Sequence, residues 1–414
     1  MTPTAAEIET VMTPLVAVYT DLHRHPELSR AEFRTAAVVA ERLRALGLEV
    51  TENVGGTGVV GVLRNSDGPT VLLRADMDAL PVLEQTELDY SSTDRASLPD
   101  GTDVAVMHAC GHDVHVTCLL GATQVLAEST AGWSGTLVVV FQPAEELGSG
   151  AQAMVDDGLY SIAPLPDVVL GQHVAPFPSG TLGVHAGPAF AGTDAFRVTM
   201  FGRGGHGSRP ETTIDPIVMA AATILRLQTI VSREIAGGET AVLTVGQFHA
   251  GTKSNIISDQ ATFGVAIRSL DEGVRRRVIE AVYRIIRAEA QASGAPEPEI
   301  VPEESFPVLV NDAEATARVF GAFSVRFGAQ GVIDPGPVTG SEDVSLLATA
   351  ANAPLVFWLL GGTDAAQYEA AVVGGTVERD IPANHSPFFA PVIRPTLDVG
   401  VEALTTAALE WLGI

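Results

Sequence analysis

Three short, almost continuously apolar runs, T-V-L-L-R-A-D (70–76), T-L-V-V-V-F (136–141) and D-V-V-L-G-Q-H (167–173), constrain the fold most. Runs this short, apolar at successive rather than alternate positions, read as strands buried on both faces, which requires helices on either side of a sheet. The sequence between them supplies helices. The segment A-E-F-R-T-A-A-V-V-A-E-R-L-R-A-L-G sets Phe33, Ala37, Ala40 and Leu43 on one stripe and stops at Gly47, a natural C-terminal signal. An apolar helix is expected from about Val116 to Leu126 and a short one near Ala151 to Asp156.

From about Thr193 the pattern changes. The alternating strand A-F-R-V-T-M-F-G is followed by a helix, two strands, a second helix and a strand near Glu299 to Val301. That order is a split βαβ unit. A chain of 414 residues exceeds the roughly 250–300 at which single cores divide. The expected architecture is therefore α/β, with a mixed-sheet main domain over 1–190 and 305–414. An inserted α+β, ferredoxin-like split-βαβ domain would occupy 191–304.

Asp and Glu number 50 against 24 Lys and Arg, a net charge of −26. Such a field repels a phosphate backbone, so nucleic acid is not an expected partner. No basic start with an apolar signal core opens the chain, and no run of 18 apolar residues occurs, so neither export nor membrane insertion is expected. The two cysteines cannot form a disulfide framework, and Cys118 sits in an apolar stretch as a buried thiol. A cytoplasmic location follows as the expectation.

Polar residues cluster where the strands end: Asp76 and Asp78, Glu145 and Glu146, and His173. In open α/β sheets these ends converge on ligand sites. The segment His108-Ala109-Cys110-Gly111-His112-Asp113-Val114-His115 adds a thiol, three imidazoles and a carboxylate. Cys110 and His112, read as part of a loop before a helix, can face one cation across the turn that Gly111 permits, with zinc, nickel, cobalt and manganese all compatible. Asp113 and His115 are candidates to hold those ligands from behind. Glu145 and Glu146, if extended, point opposite ways and take different roles, one on a metal and one on a proton. His385 lies between prolines in I-P-A-N-H-S-P-F-F, and His206 in the flexible G-R-G-G-H-G-S, placed to donate to a developing oxyanion.

These motifs together resemble the M20 metallopeptidases, specifically the aminoacylase-like branch with hippurate hydrolases and plant auxin-conjugate hydrolases. The resemblance rests on D-L-H-R-H-P-E-L-S (21–29), R-A-D-M-D-A-L-P (74–81), M-H-A-C-G-H-D (107–113), F-Q-P-A-E-E (141–146), G-R-G-G-H-G-S (202–208), S-N-I-I-S-D (254–259), G-S-E-D (340–343) and His385. It implies a metallopeptidase-like catalytic domain holding two divalent ions through Cys110, His112, Glu146, His173 and His385. It also implies Glu145 as the base that deprotonates water, His206 as the carbonyl helper, and Asn255 and Arg268 as contacts to the substrate. Asp76 and Asp78 support the ligands, and Glu342 and Asp343 organise the cleft. The implied reaction is hydrolysis of a small N-acyl amino acid by a homodimer joined through the inserted domain. A small-peptide carboxypeptidase or dipeptidase is the open alternative, a thiol enzyme using Cys110 the chemical rival, and a binding protein the non-catalytic one. Glu211 stands where relatives often carry histidine, and Ser258 where they often carry proline, which leaves the pocket's shape open.

Overall fold

The computed structural model describes residues 5–413; the first four residues of the opening segment read above for an export signal lie outside them. The chain begins with helices α1 (Ala5–Arg24) and α2 (Phe33–Ala45) and strands β1 (Glu49–Val54), β2 (Gly58–Arg64) and β3 (Thr70–Asp76). Helix α3 (His112–Glu128), β4 (Thr136–Gln142), β5 (Val168–Pro178) and β6 (Leu182–Gly183) follow. Next come β7 (Gly192–Phe201), α4 (Pro216–Arg233), β8 (Ala241–Ala250), β9 (Gln260–Ser269), α5 (Glu272–Ala292) and β10 (Glu299–Phe306). The chain closes with α6 (Ala313–Phe327), β11 (Val332–Ile333), β12 (Leu355–Thr363) and α7 (Ile393–Leu409). It divides into two compact units: one of residues up to Gly187, Val310–Gly336 and from Asp343 onward, the other of Pro188–Leu309 and Pro337–Glu342.

The first unit is built on an eight-stranded sheet in the order β1-β2-β4-β3-β5-β12-β6-β11. Its centre, β4-β3-β5-β12, is parallel. The β3 and β4 runs that read as doubly buried are buried at every position after the first, because helices cover both faces. Helix α3 packs against β3 on one side and against α1 and α7 on the other. As the middle layer it is apolar around its circumference, and all but three of its residues are buried.

Helix α3 begins at His112, not at Val116, so His112 belongs to a helical first turn rather than to the preceding loop. Strand β5 likewise continues to Pro178 rather than ending at His173. Its pairing with β3 stops at Arg74–Gly171, whereas its pairing with β12 runs on past His173. His173 therefore still lies beyond the last residue of β3 with which β5 pairs.

The second unit has a four-stranded antiparallel sheet in the order β8-β9-β7-β10. With α4 after β7 and α5 after β9, this is the ferredoxin-like arrangement in which β9 separates the two strands of the split βαβ unit. Asp215 caps α4 by accepting from the Ile217 and Val218 amides, with Pro216 at the first position, and Asp271 caps α5 through Val274. Both caps satisfy amides that have no helical partner.

Trp358 on β12 is fully buried, with its ring 5.2 Å from Phe323 in an edge-on contact and its Nε1 donating to Gln172 at 3.1 Å. Trp358→Ala is expected to destabilise the first unfolding transition by about 3–5 kcal/mol. Urea denaturation followed by circular dichroism measures it, and a loss below about 1 kcal/mol would contradict this packing account.

Candidate metal centre

The sequence-predicted donors of the first unit meet beyond the ends of β3 and β4, beside the stretch of β5 that carries His173. Ligand atoms of Cys110, Glu146 and His385 lie within 4.8 Å of one another, as do those of His112, Glu145 and Glu146, and those of Asp76, His112, His115 and His173. Cys110 Sγ is 3.5 Å from His173 Nε2, and Glu146 Oε1 is 3.4 Å from His385 Nε2 and 3.8 Å from His112 Nε2.

Local backbone geometry makes this possible. Gly111 has φ +79°, and a Cβ there would collide with the Val174 side chain, so only glycine can sit between Cys110 and His112 without strain. Ala144 adopts the left-handed conformation and throws Glu145 and Glu146 into a single 3-10 turn. The expectation that these two glutamates are extended and point oppositely is thereby corrected. Asp78 fixes the turn by accepting from the Glu145 amide at 3.2 Å and the Glu146 amide at 3.0 Å. His385 also has positive φ, and its amide donates to the Ala109 carbonyl at 2.8 Å.

Hydrogen bonds sort the imidazoles by role. His173 Nδ1 donates to the Val174 carbonyl at 2.8 Å, so its Nε2 keeps a lone pair facing Cys110. His115 has no lone pair left, because its Nε2 accepts from the Val174 amide at 2.8 Å and its Nδ1 donates to Asp76. Asp76 also meets the Arg74 guanidinium at 2.7 Å. His112 points Nδ1 at Asp78 Oδ1, 3.3 Å away but poorly aligned, and points Nε2 into the cluster. Asp113 turns away from the cluster and accepts from His23 at 2.6 Å.

A divalent cation fits this donor set. Glu146 Oε1 and both His112 nitrogens are buried without a well-formed hydrogen bond, and buried polar groups in that state are costly unless something satisfies them. Burial opposes charge on His112, but Asp76, Asp78 and Glu146 outweigh it and hold the ring at about 10, so a proton stands where cationic charge is required. Burial, then His115, lowers His173 and keeps it a neutral donor. Burial and the nearby Glu146, Glu145 and Asp76 push the Cys110 thiol up. That disfavours a free thiolate nucleophile, which needs a depressed pKa.

Glu32, Arg74 and Gln142, to which the motifs above assign no role, also brace the site. Glu32, fully buried, accepts from the Ala144 amide at 2.9 Å and braces the left-handed turn ahead of Glu145. Buried Arg74 and Gln142 both donate to Asp343, which also takes the Ala151 amide. A strongly apolar strand carrying one arginine, as β3 does, was the available signal for the Arg74 network.

The remaining predicted residues belong to the second unit. A short ladder pairs His206 with Ile256, and the Gly207 amide donates to the Asn255 carbonyl at 2.9 Å, so the two loops lie side by side. His206 Nδ1 accepts from the Ser208 amide at 3.2 Å, which places the proton of the neutral ring on Nε2. Arg268 spends one Nη on the Thr339 carbonyl at 2.6 Å.

Gly111→Ala should weaken divalent-metal binding by about tenfold or more, since it displaces both flanking donors. Titration of metal-stripped protein with cobalt measures this. Unchanged affinity would mean the Gly111 turn does not set the site.

Residues 72–410 match the pattern of peptidase family M20/M25/M40. The chain is 39% identical to thermostable carboxypeptidase 1 of Saccharolobus solfataricus, over 84% of this chain and 85% of that one. It is 41% identical to hippurate hydrolase of Campylobacter jejuni, over 78% and 82%. Among solved structures, a dinuclear-metal-binding peptidase of the M20 family from Bacillus subtilis superposes with a TM-score of 0.76 at 29% identity, covering 98% of this chain and 99% of the other. The donor cluster and these likenesses agree: the chain belongs to peptidase family M20/M25/M40 and is a metal-dependent hydrolase.

Proposed function

We propose that this hydrolase cleaves N-acyl amino acids, of the hippurate or N-acetyl amino acid type, to a carboxylic acid and a free amino acid. The convergence of Cys110, His112, Glu146, His173 and His385 around one space, with Glu145 at its wall, carries the reading. The hippurate hydrolase likeness supports the acyl preference. The carboxypeptidase likeness favours a second reading, removal of a residue from a small peptide by the same chemistry.

Those five residues are assigned to two divalent ions, with zinc, manganese, cobalt and nickel all suited to the mixed sulfur, nitrogen and oxygen set. Bound there, such ions would acidify water and polarise the scissile carbonyl. Glu145 takes a proton from the attacking water and returns it to the departing nitrogen. It is suited to that work because it is buried, with Oε2 3.9 Å from His112 Nε2 and its backbone fixed by Asp78. His206 offers Nε2–H to the carbonyl oxygen as negative charge develops. Asn255 and Arg268 are assigned to the substrate's carboxylate or acyl group. Asp76 and Asp78 hold the ligands, while Asp113 holds the first turn of α3.

The second unit is proposed as the lid and dimerisation domain. Exposed apolar residues on α4 and on its edge strand β8, among them Leu225, Val218 and Val242, support that assignment. No helix among the described residues is long and apolar enough to cross a membrane. The two free cysteines accord with work in the reducing cytoplasm.

The test is metal-dependent release of free amine from a panel of hippurate, acetyl amino acids and dipeptides. Glu145→Gln should lower kcat by about 10²–10⁴ with metal content unchanged. Faster turnover of dipeptides than of every acyl amino acid would favour the peptidase reading, and full activity after complete chelation would defeat both. Verified mixed dimers of Glu145→Gln and His206→Ala subunits should regain activity if the dimer shares its sites.

A further inference from the structure

His23, in the last turn of α1, is 1% exposed, and carboxylates face both of its ring nitrogens. Nδ1 lies 2.6 Å from Asp113 Oδ2 and Nε2 lies 3.1 Å from Glu84 Oε1. A neutral imidazole has one donor and one acceptor, whereas a carboxylate only accepts. Both contacts are hydrogen bonds only if the ring carries two protons. The surroundings agree: burial opposes the charge, but Asp113 and Glu84 hold His23 at about 10. His23 in turn helps hold both carboxyls below their ordinary values against burial. Tyr19 and Tyr90 close the ring in, with centroids 5.7 and 5.2 Å away, and the buried His108 also senses its charge.

Each carboxylate holds a different segment. Asp113 Oδ1 accepts from the Val114 amide at 2.9 Å, which fixes the first turn of α3, where His112 is the preceding residue. Glu84 Oε2 accepts from the Ser92 amide at 2.6 Å and Oε1 takes the Thr86 hydroxyl, closing the 84–92 loop. Within that loop the Gln85 amide donates to the Pro387 carbonyl at 2.8 Å, in the same loop as His385. One arm from His23 thus reaches the turn of His112 and the other reaches the loop of His385.

We propose that His23 is a positioning residue, a buried imidazolium tie that sets the His112 turn and the His385 loop at the spacing a metal centre needs while touching neither metal nor substrate. This rests on the assignment of His112 and His385 as metal donors. Outer partners of this kind typically change metal affinity by about 10–100-fold when removed.

The experiment compares wild type, His23→Gln and Glu84→Gln as full-length, metal-stripped proteins titrated with cobalt(II), reading affinity and the visible absorption of the bound ion. Nitrogen-15 NMR of labelled histidine in the stripped wild type reads the His23 protonation state at mildly alkaline pH. The expected results are a doubly protonated His23, about 10–100-fold weaker cobalt binding with shifted bands in His23→Gln, and a smaller loss in Glu84→Gln. A singly protonated His23, or wild-type affinity and spectrum in His23→Gln, overturns the proposal. If His23→Gln does not fold, Glu84→Gln decides: a loss supports the tie, and wild-type binding overturns it. Failure of wild type itself to bind cobalt defeats the metal-centre assignment and this proposal with it, and is told apart because no variant is needed to see it.

Discussion

The structure depends on one electrostatic fact: acidic groups are gathered and buried at the ends of β3 and β4, with the Arg74 guanidinium among them. Asp76, Asp78, Asp343 and Glu145 are all buried, and Arg74 answers two of them, Asp76 at 2.7 Å and Asp343 at 3.4 Å. Isolated buried ions cost several kcal/mol each, and breaking a buried pair costs about 3–5 kcal/mol. A fold would not concentrate them without a compensating positive charge. Arg74 supplies part of that charge, and against the effect of burial Asp76, Asp78 and Glu146 raise His112 to about 10. A divalent ion held there would supply more charge and would give the buried Glu146 oxygen, which has no hydrogen-bond partner, something to bind.

The scaffold makes this arrangement rigid. Strands β3 and β4 end at paired residues, Asp76 and Gln142, while β5 runs on past them, so residues far apart in sequence arrive at one level. Helix α3 is buried nearly all round, which fixes the direction of its first turn and hence of His112. Backbone carbonyls and carboxylates then choose the tautomers. Val174 supplies a carbonyl to His173 and an amide to His115, so one residue makes the first a donor with a free lone pair and the second a strut. The two imidazoles thus differ in hydrogen bonding rather than in residue type.

Much of this was legible in the sequence. The doubly apolar runs announced the covered sheet, the β-α-β-β-α-β order announced the second unit, and Cys110-Gly111-His112 announced the turn and the clustering of these side chains. Other features left no local trace. Ala144 in a left-handed conformation is not signalled by alanine, so the shared turn of Glu145 and Glu146 was invisible. Strand β5 runs past His173 because β12 continues to pair with it, a fact of sheet order. Glu32 and Glu84 act through hydrogen bonds to groups distant in sequence, where no spacing rule applies, and the motif that contains His23 does not reveal its two carboxylate partners.

Anomalous diffraction from crystals grown with a single divalent metal tests the central claim most directly. The account predicts cation peaks inside the space bounded by Cys110, His112, Glu146, His173 and His385, with the Cys110 sulfur about 2.3 Å from a zinc ion if zinc is used. Peaks confined to other acidic groups, or a fully active crystal form with those five side chains holding no cation, would contradict it.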